Sequence, residues 1–362
     1  MSNVVVAGFA RSPFHVAGKG ALAGVRPDDL TAQVIRGLIE RTGVDAADIE
    51  DVILGCAFPE GEQGLNVARQ IGLLADLPLS VGGMTVNRFC GSSMSAIHIA
   101  MGQIRIGAGE AFICAGVESM SRVPMMGFNP LPNPALAAGN AGAYLSMGET
   151  AENVATKYQI TRQAQEAFAV ASQQKAGVAR AAGRLADEIV PIRTRKGLVS
   201  EDGTLRPETT AEALAGLKPA FDATGSVTAG TSSPLTDGAS AVLVTSEDYA
   251  RSHGLAILAR IRSVAVAGCA PEIMGIGPVE ASRKALLRGR IDAGQLDVVE
   301  LNEAFASQAL ACMRDLGLDE RKVNLDGGAI ALGHPLGATG ARIVGKAAAL
   351  LKREGGSYAL AT

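Results

Sequence analysis

The chain has 362 residues, 48% of them hydrophobic, and a formal net charge of −3, enough apolar material for one large core or two half-sized ones. The near-neutral balance, without Lys/Arg blocks, excludes the basic stripe that nucleic-acid binding needs, and no apolar run approaches the ~20 residues of a membrane span. Five cysteines without CxxC spacing and only four histidines speak against a disulfide framework and against a metal site. With no charged leader ahead of the first strand, a cytoplasmic protein is expected. Abundant glycine (44), no tryptophan and 4% aromatics favour a layered α/β protein, in which small residues let helices lie close on sheets.

Strands are predicted over 4–7, 52–55, 84–86 and 111–116, alternating with helices over 28–41, 66–75 and 93–106. Such alternation, with continuously apolar strands, reads as βαβ units around a mainly parallel sheet. The segment 119–234 differs in character, with one strong helix over about 161–180 that Thr161 would cap. So long an excursion is expected to carry binding rather than to serve as a linker. The chain then returns through a strand over 241–244. The last third repeats the first: strand 257–266, helix 279–287, strand 298–301, helix 303–316, strand 323–325, helix 338–351 and strand 357–361. We therefore divide the chain into a first half (1–118 plus 235–253), an inserted loop domain (119–234) and a second half (254–362). The repeat puts the turn at Cys90 and the turn at His334 in equivalent places, each after the third strand of its half.

Those turns carry the candidate chemistry. Cys90 stands where the strand ending at Val86 meets a helix marked by Met94, Ile97, Met101 and Ile104, and the positive end of a helix favours a thiolate. Cys56, Cys114, Cys269 and Cys312 lie in apolar contexts and read as buried, inert thiols. Asn302, directly after a strand, fits either a helix N-cap or an amide aimed at a ligand. Glu303 reads as an orienting carboxylate and Phe305 as core or pocket wall. His334, before Pro335, fits either a helix cap or a general base, since imidazole titrates near neutrality.

Taken together, the runs VNRFCGSSM (86–94), NEAF (302–305) and GGAIALGHPLGATGAR (327–342) resemble the signatures of the thiolase family. MGETAENVA (147–155), KPAFD (218–222), VTAGTSSPLTDGA (227–239) and MGIGPVEAS (274–282) extend the resemblance over 4–362, and CGSSM and TAGTSS are more similar to the degradative 3-ketoacyl-CoA branch than to the biosynthetic one. The resemblance implies a layered αβαβα fold and an acyl-CoA:acetyl-CoA C-acyltransferase that cleaves 3-ketoacyl-CoA. Cys90 would be the acylated nucleophile, His334 its base, and Asn302 a stabiliser of the enolate through a fixed water. It further implies Ser233 at the pantetheine arm, Arg206 near the adenine end and Met147 and Met274 as walls beside the acyl thioester, with the loop over 125–145 bearing on chain length. No covalently bound cofactor is implied; coenzyme A and acyl-CoA are substrates. Partners implied are a second copy or a pair of dimers and, in some members, a hydratase–dehydrogenase. The alternatives are the biosynthetic condensation or a non-catalytic CoA-binding paralogue; a ketoacyl synthase would need a second active-site histidine. The second half lacks a counterpart of the 241–244 strand. In the family a Cys-Ile-Gly-Gly-Gly-like segment with a second catalytic cysteine follows the position of Thr362. No residue here matches it, so acyl transfer to Cys90 is expected to outlast carbon–carbon cleavage.

Overall fold

A computed structural model describes residues 2–362. In chain order the first sheet uses β1 (Val4–Arg11), β2 (Ile49–Cys56), β3 (Gly82–Val86), β4 (Ala111–Ser119), β5 (Thr236–Ser246) and a two-residue β6 (Ala259–Arg260), arranged β3-β2-β4-β5-β1-β6. Strands β4 and β5 are buried along their whole length, as expected for a sheet covered on both faces. The β3-β2-β4 pairs are parallel, but β5 runs antiparallel to both β4 and β1, so the sheet is mixed rather than mainly parallel. The reason is connectivity: β5 arrives from the long excursion, not from a βαβ crossover.

Helices α1 (Pro27–Thr42) and α2 (Val67–Leu74) cover one face of this sheet through an apolar cluster containing Leu30, Ile35, Val52 and Ile71. On the other face lies α3 (Ser92–Ile106). The excursion contributes α4 (Met147–Lys157) and α5 (Arg162–Ala181), whose cap is the expected Thr161, accepting the Ala164 N–H at 3.2 Å. Val154, Phe168 and Leu214 of the excursion share a core with Leu301, Ala309 and Val323 of the second half. The second half adds α6 (Gly277–Gly289), β7 (Val298–Glu300), α7 (Ala306–Leu316), α8 (Thr339–Glu354) and β8 (Ala359–Ala361), with β7 and β8 parallel. Helix α8 packs on α3, on β1 and β5, and on β7 and β8. The layers are thus α1/α2, first sheet, α3/α8, β7/β8 and α6/α7, the implied αβαβα order. No helix among the described residues is long and apolar enough to cross a membrane.

Three second-half elements differ from the sequence pattern. The strand over 257–266 reduces to β6, with pairing ending where the Ile261 N–H meets the Val4 carbonyl; the preceding carbonyl, that of Asn3, already accepts the Glu247 N–H. The strand over 323–325 reduces to one parallel bridge, Val323 to Val299, because Asn324 turns to φ +48°, outside the β region. Helix 303–316 starts three residues late, at Ala306 with Phe305 in the cap position. Asn302 and Ala304 are committed elsewhere: the Asn302 N–H donates to the Thr362 carbonyl, and the Ala304 carbonyl accepts from the Ser233 N–H.

Candidate active site

The Cys90 turn is built largely by its neighbours in sequence. Phe89 adopts φ +46°, a left-handed backbone that costs a non-glycine residue about 1–2 kcal/mol. Local side chains hold it there. The Asn87 Oδ1 accepts the Phe89 N–H at 2.7 Å, and Ser92 Oγ accepts the Arg88 N–H at 2.8 Å while donating to the Phe89 carbonyl at 2.6 Å. A short 3₁₀ turn over Phe89–Gly91 then leads into α3.

The His334 turn depends on distant chain. Thr236 Oγ1 accepts the His334 N–H at 3.0 Å, Ser240 Oγ donates to the Ala338 carbonyl at 2.6 Å, and a Glu118 carboxylate oxygen accepts the Gly337 N–H at 2.9 Å. Backbone contact is close enough that a Cβ on Gly116 would lie 2.2 Å from the Gly337 carbonyl oxygen. At the first turns of α3 and α8, a Cβ on Gly340 would lie 2.1 Å from the Met94 nitrogen. Both positions therefore require glycine.

These turns bring Cys90 Sγ within 3.2 Å of His334 Nε2. His334 Nδ1 lies 2.6 Å from Thr339 Oγ1, and the Asn302 Nδ2 approaches Nε2 at 3.5 Å. The Asn302 Oδ1 is buried without a hydrogen-bond partner, a cost of about 1–3 kcal/mol that a bound donor would remove. Since α7 starts only at Ala306, Asn302 is not a helix cap. Glu303 is fully committed: it accepts from Ser172 Oγ (2.6 Å), Asn324 Nδ2 (2.7 Å) and the Ile330 N–H (3.1 Å), joining the NEAF and GGAI segments to α5.

The electrostatics correct one expectation. Burial, and secondarily the Glu118 carboxylate, push the Cys90 thiol up to about 12, while burial, and secondarily Arg342, pull His334 down to about 3. Desolvation outweighs the helix terminus, so the resting pair is neutral thiol and neutral imidazole. In that state the thiol keeps its proton, 3.2 Å from His334 Nε2, rather than standing as a thiolate. A second correction concerns Cys269, which is exposed in irregular chain before Pro271, whereas Cys56, Cys114 and Cys312 are buried as expected.

Cys90, His334 and Asn302 open onto a cavity of about 410 Å³ whose other walls are mostly apolar. Ser233, Met147, Met274 and Phe305 also line it, with Phe305 edge-on to Phe221 at 5.8 Å. Ser233 Oγ donates to the Ala304 carbonyl at 3.1 Å. Arg206 does not line the cavity; its side chain is exposed and its N–H donates to Gln173. The sequence reading missed Glu118, Thr339, Met120 and Leu235. Glu118 left a signal, a carboxylate ending a wholly apolar strand. Met120 left none, and Leu235 only its place in the 227–239 run.

The fold and site define a five-layered α/β protein with a cysteine–imidazole pair at the floor of an acyl-sized cavity. Residues 4–248 match the family model "Thiolase, N-terminal domain" and residues 255–362 match "Thiolase, C-terminal domain". The chain belongs to the thiolase family. It is 47% identical over 375 residues to a 3-ketoacyl-CoA thiolase of Bacillus subtilis (strain 168), covering 100% of this chain and 96% of that protein. It is 48% identical over 372 residues to a 3-ketoacyl-CoA thiolase of Pseudoalteromonas translucida (strain TAC 125), covering 100% and 95%. The crystal structure of human mitochondrial 3-ketoacyl-CoA thiolase in complex with CoA superposes with a TM-score of 0.92 at 37% identity, over 99% of this chain and 94% of that one.

Proposed function

We propose that the protein is an acyl-CoA:acetyl-CoA C-acyltransferase that cleaves 3-ketoacyl-CoA with coenzyme A. The observation that carries this is the 3.2 Å Cys90–His334 pair at the floor of a methionine- and phenylalanine-walled cavity. His334 Nε2 takes the thiol proton as Sγ adds to the C3 ketone. The C2–C3 bond then breaks, its electron pair staying on C2 as the acetyl-CoA enolate, which takes the proton held on His334 Nε2 and leaves as acetyl-CoA, returning the imidazole to its neutral form. In the second half-reaction the coenzyme A thiol gives its proton to His334 and its sulfur attacks the Cys90 thioester, releasing the shortened acyl-CoA and restoring the thiol. Thiol–thioester exchange is nearly neutral in energy, so no resident cofactor is needed.

Asn302 would sit beside the enolate oxygen, where a fixed donor contributes about 3 kcal/mol. Ser233, Met147, Met274 and Phe305 would line the pantetheine and acyl path, and Met125 at the cavity rim ties the 125–145 loop to chain length. Arg206 would act outside the cavity, toward the adenine end. We place the enzyme in cytoplasmic β-oxidation as a homo-oligomer, fed with 3-ketoacyl-CoA by a hydratase–dehydrogenase, with 119–234 as its CoA-facing insert. The test combines chromatography of acetyl-CoA formed from 3-ketoacyl-CoA plus coenzyme A with peptide mass spectrometry of the acylated protein. Acylation at a cysteine other than Cys90, or substrate loss without acetyl-CoA, overturns the proposal.

A further inference from the structure

The second nitrogen of His334 is as fully engaged as the first, and its partner has no part in the reaction just described. Thr339, the first residue of α8, is 3% exposed and His334 4%. Thr339 Oγ1 lies 2.6 Å from Nδ1 and 3.4 Å from the Pro335 carbonyl oxygen. A neutral imidazole has one N–H and one lone pair. If the N–H is on Nδ1, the ring's contacts are complementary: Nδ1–H donates to Thr339 Oγ1, the hydroxyl proton points to Pro335, and the Nε2 lone pair faces the Cys90 S–H, with the Asn302 Nδ2 slightly farther away. If the N–H is on Nε2, it meets the Asn302 amide hydrogens and has only the weakly accepting Cys90 sulfur before it, and Thr339 must turn its hydroxyl from Pro335 to the Nδ1 lone pair. No carboxylate bonds Nδ1, so the imidazole is oriented without being made a stronger base, and it keeps the low proton affinity that burial gives it.

We infer that Thr339 is a positioning residue: its hydroxyl, through the Pro335 carbonyl, holds His334 as the Nδ1–H tautomer and aims Nε2 at Cys90. The inference rests on the proposed acyl transfer, but its first consequence is independent of activity. Any substitution at 339 that keeps the hydroxyl keeps the base aligned. One that removes it lets the ring rotate or change tautomer, though the α8 backbone is unaltered.

The test compares Thr339→Val, isosteric without the hydroxyl, with Thr339→Ser. Nitrogen-15 spectra of the four histidines, with His334 assigned by its loss in His334→Gln, should show the wild-type Nδ1 protonated and Nε2 as the lone-pair nitrogen. Single-turnover acylation of Cys90 by acyl-CoA should fall about 10- to 100-fold in Thr339→Val, less than the 10²–10⁴ that a whole general base contributes. Acyl-CoA KM should stay unchanged and a rate that climbs with pH should appear, while Thr339→Ser restores most of the rate and the flat profile. A wild-type His334 protonated on Nε2 overturns the inference, and does so even if Thr339→Val fails to fold. So does a folded Thr339→Val with wild-type rate and pH profile, or a Thr339→Ser as slow as the valine variant. A wild-type protein that never acylates Cys90 sinks the functional reading instead, leaving the tautomer measurement to judge Thr339.

Discussion

The Cys90 turn and the His334 turn do the same structural job, each delivering one reactive side chain from a turn that opens a central-layer helix, yet they are held in opposite ways. Around Cys90, Asn87 and Ser92 hold a strained Phe89 within five residues of the sulfur. Around His334, the main chain of the turn is held by Glu118, Thr236 and Ser240, more than 90 positions away in the chain, although the ring itself meets the nearby Thr339. The Cys90 turn is thus set by local sequence and the main chain of the His334 turn by the completed fold. Partial unfolding of the second half should remove the base while leaving the thiol turn in place.

The sharpest way to break this comparison is Cys90→Ala, which should end acyl-enzyme formation altogether; intact-mass measurement after acetyl-CoA exposure checks it, and acyl label persisting on Cys269 would show that the exposed thiol competes. His334→Ala should slow acylation by about 10²–10⁴-fold, and its pH dependence separates the two turns. In the wild type, with His334 neutral above about 3 and Cys90 protonated below about 12, the rate should stay nearly flat between about pH 6 and pH 9. Without the base only free thiolate reacts, so the rate should rise about tenfold per pH unit toward the thiol's own value; stopped-flow acylation shows which slope holds.

Glu118→Gln probes the long-range turn. It places an amide donor where the carboxylate accepts from Ala57, Gly337 and Gln63, and should cost about 1–3 kcal/mol in urea unfolding. Its effect on acylation should resemble a weakened His334 rather than a weakened Cys90, with the same upward drift in pH. Ser92→Ala should be the mildest. Losing both bonds to the Phe89 turn costs about 1 kcal/mol and slows acylation a few-fold without changing the pH profile; a profile that tilts would mean that the two turns are not independent.

Reading the chain alone reached locally determined elements better than those decided by distant partners, for the same physical reason. Periodicity and caps placed α1, α3 and α5 within two residues at each end, because those signals are local. What it could not place were features decided by partners: the antiparallel entry of β5, the loss of the 257–266 strand where Glu247 occupies the Asn3 carbonyl, and the late start of α7. In the site, Cys90, His334, Asn302, Ser233, Met147, Met274 and Phe305, picked out by their motifs, line one cavity, whereas Arg206 does not. Glu118 and Thr339 were not picked out, since a buried carboxylate and a helix-opening threonine gain meaning only once their neighbours are known. The elevated thiol was also illegible, because desolvation is a property of the assembled layers.

The close approach of Gly340 to the Met94 nitrogen sets the spacing between the Cys90 and His334 turns as a ruler made of main chain. Two helices that open with the reactive turns touch with no side chain between them, so the gap cannot be widened gradually by altering packing around it. Changes elsewhere in the cavity can retune which acyl chains enter, while the step that joins sulfur to proton acceptor keeps its length. Diversification of substrate and invariance of chemistry are, in this architecture, properties of different walls.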